Sequence, residues 1–292
     1  MGFALCCFLP AVTEYSTHPK LLQDPKSVVK DAKTVILLLM PYRPARAEDY
    51  CEAVISNYYP VSHEAYKRAK VLSGLLLREG FSAVSNVQLP LKKLLLDFGI
   101  GDMGLNSLIA IPKLGSAFHV QAIVTNAQFE YTHVAQKGIP SAQRCKNCLK
   151  CISACPTGAI RGDFSIEVQK CLRAVSETDP IPEAYEALLG NRLLGCDLCQ
   201  SVCPANALLT QAEPFSYPLK RLLRGDIEEL RQTIGPNLAR TRRMQKKAAV
   251  LTANLKRYDL KDELIALGRT DDEGVARAAK RALKRLEESE CK

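Results

Sequence analysis

From Thr34 to Met40 the chain reads Thr-Val-Ile-Leu-Leu-Leu-Met, and Pro41 ends the run. Unbroken apolar character over this length predicts a strand covered on both faces, the look of a parallel sheet. Residues 63–79 change period: Tyr66, Ala69, Leu72 and Leu76 recur at helical spacing, and Gly80 supplies the stop. Phe81–Val84 predicts the next strand and Leu91–Phe98 a helix closed by Gly99. Leu108–Ile111 and His119–Thr125 read as two strands around the turn Pro112–Gly115. From about residue 219 the pattern is helical to the end. Thr270-Asp-Asp-Glu273 fits a capping box, and Val275, Ala278, Ala279, Ala282, Leu283 and Leu286 form the apolar face of the helix behind it. Leu230–Leu267 has the same character, so paired short helices suggest a small helical repeat.

Between these regions, residues 141–209 are rich in Cys, Pro and Gly. Such a segment is expected to bury little core and to depend on metal for folding. The resulting organisation is α+β: an α/β domain over 1–140, a cysteine-rich domain over 141–214 and a helical tail over 215–292. No run reaches the ~18–20 apolar residues that span a bilayer. Met1–Leu9 is apolar but lacks the basic start and small-residue cleavage site of a signal peptide. A cytoplasmic location is expected, with no membrane association.

Composition sharpens the middle segment. Of 12 cysteines, eight lie between Cys145 and Cys203, a clustering that points to metal rather than disulfides. Cys6, Cys7, Cys51 and Cys291 are read as buried or incidental thiols. The first run is Cys145-x2-Cys148-x2-Cys151-x3-Cys155-Pro156, the spacing of a bacterial ferredoxin and not of a zinc ribbon. Three closely spaced thiolates wrap one cubic cluster, and the fourth reaches across to a second. The second run, Cys196-x2-Cys199-x3-Cys203-Pro204, has Leu193 where its first cysteine would stand. Cys171 is the spare cysteine nearby. The expected sets are therefore Cys145, Cys148, Cys151 and Cys203 for one [4Fe–4S] cluster, and Cys171, Cys196, Cys199 and Cys155 for the other. Every iron then has a cysteine, so the clusters read as an electron wire that needs a donor, such as a ferredoxin or flavodoxin, and an acceptor.

The formal charge is +9. Two oxidised clusters, each roughly −2 with its thiolates, leave the protein at about +5. Basic residues gather at Arg240, Arg242, Arg243, Lys246 and Lys247, and again at Arg277, Lys280, Arg281, Lys284 and Arg285. Phosphate contact with tRNA and a solvated helix face are the two readings of these clusters.

Around the cysteines the sequence resembles the epoxyqueuosine reductase family, cobalamin-dependent iron–sulfur enzymes of tRNA modification. The likeness rests on the first run continued as Pro156-Thr-Gly-Ala-Ile160, on Cys171 and Ile181-Pro182, and on Gly190-Asn-Arg-Leu-Leu-Gly-Cys-Asp-Leu-Cys-Gln-Ser-Val-Cys-Pro204 with Asn206. Asp24–Ile36, Gly99–Ser107, Pro112–Ser116, Ala239–Ala249 and the last helix extend it more thinly, and Gly2-Phe-Ala-Leu5 resembles the family's first strand. The resemblance implies a nitroreductase-like cobalamin domain, a two-cluster ferredoxin-like domain and a HEAT-like tail. It also implies reduction of epoxyqueuosine to queuosine in tRNA through cobalamin, with Asn106, Ser116 and Gln200 near that cofactor.

Departures accompany the likeness. The family's proton-donating aspartate aligns with Leu91, which has no proton to give. The family's Gly-x-Gly-Trp-x-Gly-Lys-Asn loop reads Gly99-Ile-Gly-Asp-Met-Gly-Leu-Asn106, and its Trp after Cys-Pro is Ala205. Asp97 and Asp102 are candidate replacement acids. His63, His119 and His133 are candidate ligands or acids against the commoner structural role. The alternatives to epoxyqueuosine reduction are a paralogous reductase with another substrate, an electron-transfer protein that has lost its cofactor, and a tRNA-binding module without chemistry.

Overall fold

The computed structural model describes residues 2–12, 23–44, 50–132, 145, 147–209 and 213–290. Its elements run β1 (Leu5–Pro10), α1 (Pro25–Val28), β2 (Thr34–Pro41), β3 (Ala53–Ile55), α2 (Tyr58–Arg78), β4 (Ala83–Ser85), α3 (Leu91–Asp97), β5 (Asp102–Met103), β6 (Ile109–Ala110), β7 (Phe118–Thr125), β8 (Arg192–Leu194) and β9 (Phe215–Tyr217). Short helices interrupt the stretch from 150 to 206, and a helical tail follows β9.

The main sheet has the order β1-β2-β7-β4. β2 is one of its two inner strands, and its apolar run is buried on both faces. Val35, Leu37 and Leu39 enter one core with Leu94 and Leu95 of α3, while Ile36 and Leu38 enter another with Ala69 of α2. Double coverage is thus as expected, but the direction is not: β1 and β7 both run antiparallel to β2. Burial on both faces, not strand direction, sets the sequence pattern. α2 begins at Tyr58, ahead of the expected His63, because Pro60 falls in the first turn, where no intrahelical N–H is needed. It ends just before Gly80, whose φ of +85° few other residues tolerate. The strands flanking 112–115 do not pair with each other; β6 pairs with β5 instead.

A second sheet, β8-β3-β9, draws its strands from three distant parts of the chain. It stands on the largest core, which unites Ala53, Ile55 and Tyr59 with Leu172, Val175, Ile181, Leu189, Leu193 and Leu194 and with the tail helices. The expectation that the cysteine-rich segment buries little core is therefore corrected. Its loops stand on tail residues such as Met244, Ala248 and Leu251, which supply the apolar surface the segment lacks by itself. Leu193 is fully buried in β8.

The tail helices are Leu219–Leu223, Glu228–Ile234, Thr241–Asn254, Lys261–Leu267 and Glu273–Glu290. On the last, Val275, Ala279, Ala282 and Leu286 are buried. Its cap is Asp272 rather than Thr270: Asp272 Oδ1 accepts from Val275 N at 2.9 Å. No helix among the described residues is long and apolar enough to cross a membrane.

Candidate functional site

The first cysteine run turns tightly. Cys148 N donates to Cys145 O at 3.1 Å. Leu149 takes the left-handed conformation and starts the one-turn helix Lys150–Ser153, which carries Cys151. Cys203 approaches from the second run. Cys145, Cys148, Cys151 and Cys203 line one narrow apolar cavity together with Asp102, Met103, Leu105 and Ala205. Burial raises the pKa of the Cys151 thiol, and the neighbouring Cys203 and Cys145 add to it.

Cys171, Cys196 and Cys199 line a different and larger cavity. Gly195 sets the approach to this group with φ +84°; a methyl there would come within 2.6 Å of Ser56 Cβ and 2.8 Å of Tyr59 Cε2. Asp197, next to Cys196, accepts from Ser56 Oγ at 2.9 Å, and Ser56 N donates to Leu194 O at 2.9 Å. Burial pushes the Cys196 thiol up to about 11. It raises Cys199 further, with Cys196 and Cys171 next in influence. Cys155 lines neither cavity. Burial raises its pKa, but the Thr157 hydroxyl and backbone amides around it outweigh that and lower it.

Among the described residues no three His, Cys, Asp or Glu side chains converge on a point as a single ion requires. Thiols spaced around a void suit a cube in which each iron takes one thiolate, and do not suit a tetrahedral zinc site. Buried thiols held neutral are costly to ionise, and an iron core supplies the positive charge that deprotonates them.

The larger cavity encloses about 430 Å³ between the second cysteine group and the main sheet. Leu91, Lys92, Asn106, Ser116, His119, Arg173 and Gln200 share its wall. Three of these side chains bury an atom with no hydrogen-bond partner: Asn106 Nδ2, His119 Nε2 and Gln200 Oε1. An unpaired buried polar atom costs about 1–3 kcal/mol, and three such atoms belong to side chains of this one wall, a concentration of free polar groups that suits a polar ligand. The same side chains are fixed at their other ends. Asn106 Oδ1 accepts from Leu108 N at 3.3 Å, Gln200 Nε2 donates to the Tyr42 hydroxyl, and His119 Nδ1 lies 3.1 Å from the Tyr58 hydroxyl. Ser116 is held by Asn206, whose Oδ1 accepts from Ser116 N at 2.7 Å and whose Nδ2 donates to Gln200 O at 2.9 Å. Asn206 thus fastens the second cysteine run to the 112–116 turn.

The remaining candidates separate. Asp97 pairs with Lys93, and neither Asp97 nor Asp102 lines the larger cavity. His63 stands away from both cavities, facing Gly235. His133 and Cys291 lie outside the described residues. Cys7 is buried as expected, whereas Cys6 and Cys51 are exposed. Each basic cluster is split. Lys246 pairs with Asp179 at 2.5 Å, and Arg243 and Lys247 donate to the carbonyls of Glu177 and Ser176. Arg281 and Arg285 engage Glu186. Arg240, Arg242, Arg277, Lys280 and Lys284 are exposed, Arg242 with Asp272 at 3.0 Å. Sequence reasoning missed Tyr42, Tyr58, Lys92 and Arg173. Lys92, next to Leu91, and Arg173, two residues from Cys171, were the positions a local signal could have exposed.

Residues 144–206 match the family model of the 4Fe-4S double cluster binding domain. The epoxyqueuosine reductase of Staphylococcus aureus is 31% identical over 193 residues, 62% of this chain and 49% of that protein. The enzyme of the same name from Bacillus subtilis is 37% identical over 109 residues, 37% of this chain and 27% of its own. The chain thus spans about half the length, or less, of these two curated relatives. The fold matches a solved epoxyqueuosine reductase bound to an epoxyqueuosine-modified tRNA-Tyr stem loop, with TM-score 0.78 at 21% identity, covering 98% of this chain and 87% of that one.

Proposed function

We propose, from the chain's relationship to the epoxyqueuosine reductases, that it is a two-cluster iron–sulfur oxidoreductase that reduces an epoxide on tRNA with the help of cobalamin. One observation carries this reading. The cavity with three unpaired polar atoms has cysteines in its wall, so a ligand held there lies beside an electron source. Cys145, Cys148, Cys151 and Cys203 hold one cluster. Cys171, Cys196, Cys199 and Cys155 hold the other. The amide-rimmed corrin ring of cobalamin both donates and accepts hydrogen bonds, which fits Asn106 Nδ2 as donor, Gln200 Oε1 as acceptor and the hydroxyl of Ser116. Bound there, cobalamin supplies a low-potential metal centre for reductive opening of an epoxide.

The chain's own part is to fix the ligand, keep water from it and supply protons. Gln200 is anchored through Tyr42, and Ser116 through Asn206, so both meet the ligand with little side-chain freedom left to lose. Electrons come from a partner such as a ferredoxin or flavodoxin. The exposed Arg240, Arg242, Arg277, Lys280 and Lys284 serve tRNA phosphates, while their less exposed neighbours brace the cysteine segment. By sequence position, the three parts remain 1–140, 141–214 and 215–292.

Anaerobic reconstitution with iron, sulfide and cobalamin tests the reading. The expected result is eight irons and one corrinoid per chain, with reduction of an epoxyqueuosine-bearing stem loop. A protein that loads both clusters but binds no corrinoid would overturn it in favour of electron transfer alone. Leu91 in the cavity wall favours a second reading, a paralogue acting on another substrate. Corrinoid binding without turnover of the stem loop would select it.

A further inference from the structure

On the strength of that functional reading, we infer that Tyr58 and His119 form a proton relay into the cavity and fill the role that Leu91 has vacated. His119 sits on β7 and lines the cavity together with Leu91 and the second cysteine group. Its Nδ1 lies 3.1 Å from the Tyr58 hydroxyl, while its Nε2 is buried without a partner. The same two rings also pack edge-on, with centroids 5.3 Å apart. Arg173 lies over the Tyr58 ring, its guanidinium carbon 4.2 Å from the centroid. The Tyr58 hydroxyl can both donate and accept, and here it is assigned as the donor of the pair. With the Tyr58 O–H directed to Nδ1, the proton on His119 sits at Nε2, on a side chain of the cavity wall. Burial, with Arg173 second, pushes the imidazole pKa down to about 4, so it works as a neutral carrier rather than as an imidazolium acid.

The balance is simple. Reducing an epoxide to an alkene consumes two electrons and two protons and releases water. The electrons come singly, in two steps, from a low-potential donor protein. As the C–O bond breaks, the Nε2 proton passes to the departing oxygen. The Tyr58 hydroxyl proton moves to Nδ1, so the imidazole stays neutral and the phenolate is left beside Arg173. Water then returns a proton to Nε2 as the Nδ1 proton moves back to the phenolate, which restores the pair, and water also provides the second proton. Lys92 is the rival source, since it lines the same cavity, but its Nζ donates to Ser107 O at 2.7 Å.

The test uses the cluster-loaded, cobalamin-bound protein and its Tyr58→Phe, His119→Gln and Lys92→Met variants, with iron content and cobalamin absorbance as controls for folding and loading. Tyr58→Phe and His119→Gln should keep both controls yet lose turnover of the epoxyqueuosine stem loop by about 100-fold or more, together with the solvent deuterium isotope effect. Lys92→Met should keep that isotope effect. Diethyl pyrocarbonate, which acylates neutral imidazole, gives a readout without turnover: His119 should be modified in cobalamin-free protein and protected by cobalamin. Unaltered turnover in the first two variants, loss of the isotope effect in Lys92→Met alone, or modification of His119 that ignores cobalamin would each overturn the relay. Wild-type protein that binds no cobalamin defeats the functional reading itself, a result distinct from these three.

Discussion

The two cysteine groups differ in what they face. Cys145, Cys148, Cys151 and Cys203 close around about 40 Å³ of apolar space, flanked by Leu149, which is 52% exposed. Cys171, Cys196 and Cys199 open onto about 430 Å³ shared with Lys92, His119, Arg173 and Asp197. The outer void has no room for a second ligand; the inner one does. On the proposed function this gives the wire a direction. A donor protein meets the outer group near the surface, and the ligand meets the inner one. Lys92 and Arg173 stand beside the inner group with Asp197 and Glu177, and Lys150 beside the outer one, so charge lines both voids and room for a ligand is what separates them.

The sharpest way to break this contrast is at Cys171, a proposed ligand of the inner group. Cys171→Ser should lower iron content by about one cluster of two and abolish turnover, while the outer cluster keeps its reduced-state paramagnetic signal. Unchanged iron would remove Cys171 from the ligand set. Next comes Gly195→Ala, whose methyl would collide with Ser56 and Tyr59 at a positive φ. A loss of about 2–4 kcal/mol in denaturant titration is expected, with iron depleted from the inner site first. Asn206→Ala removes the clamp between Ser116 and Gln200 and should cost about 1–3 kcal/mol. Cobalamin affinity should fall, because the clamp joins the cavity wall at Ser116 to the second cysteine run; unchanged affinity would remove Asn206 from that role.

The smallest effect is a pH dependence on the cavity side. The His119 pKa is depressed to about 4 in the folded chain, while the unfolded chain takes up a proton near the ordinary histidine value. Between these limits the unfolded state binds more protons, so stability is fully present above about pH 6.5 and falls as the pH drops towards 4. From pH 7 to 5.5 the His119 contribution amounts to about 1 kcal/mol. His119→Phe should flatten that part of the curve, and an unchanged slope would show that His119 is charged or solvated in the folded protein.

That Cys145, Cys148 and Cys151 share one cavity was legible from their spacing of two residues. Elimination at Leu193 pointed to Cys171, which lines the cavity of Cys196 and Cys199. The cavity could not be read the same way. His119 and Tyr58 are 61 residues apart and meet through the packing of α2 against β7. The resemblance pointed to Asn106, Ser116 and Gln200, and all three line the cavity, but it had nothing to say about the residues that anchor them. The basic clusters misled for a related reason. Arg281 and Arg285 look solvated along their own helix, yet they answer Glu186, nearly 100 residues upstream. Strand direction escaped because an apolar run reports coverage and not neighbours.

The small sheet β8-β3-β9 bears on how this protein can be taken apart. One strand precedes the cysteine segment by some ninety residues, one runs just ahead of Cys196, and one leads into the tail. Excising 141–214 would strip β3 of β8 on one edge and uncouple it from the route to β9 on the other. It would also leave Leu172, Leu189 and Leu193 in water. The cysteine segment is therefore not a cassette that could be moved to another protein or expressed alone as a small ferredoxin. Its partners on either side are part of what makes it fold, and insertions between them would be tolerated only at the exposed turns.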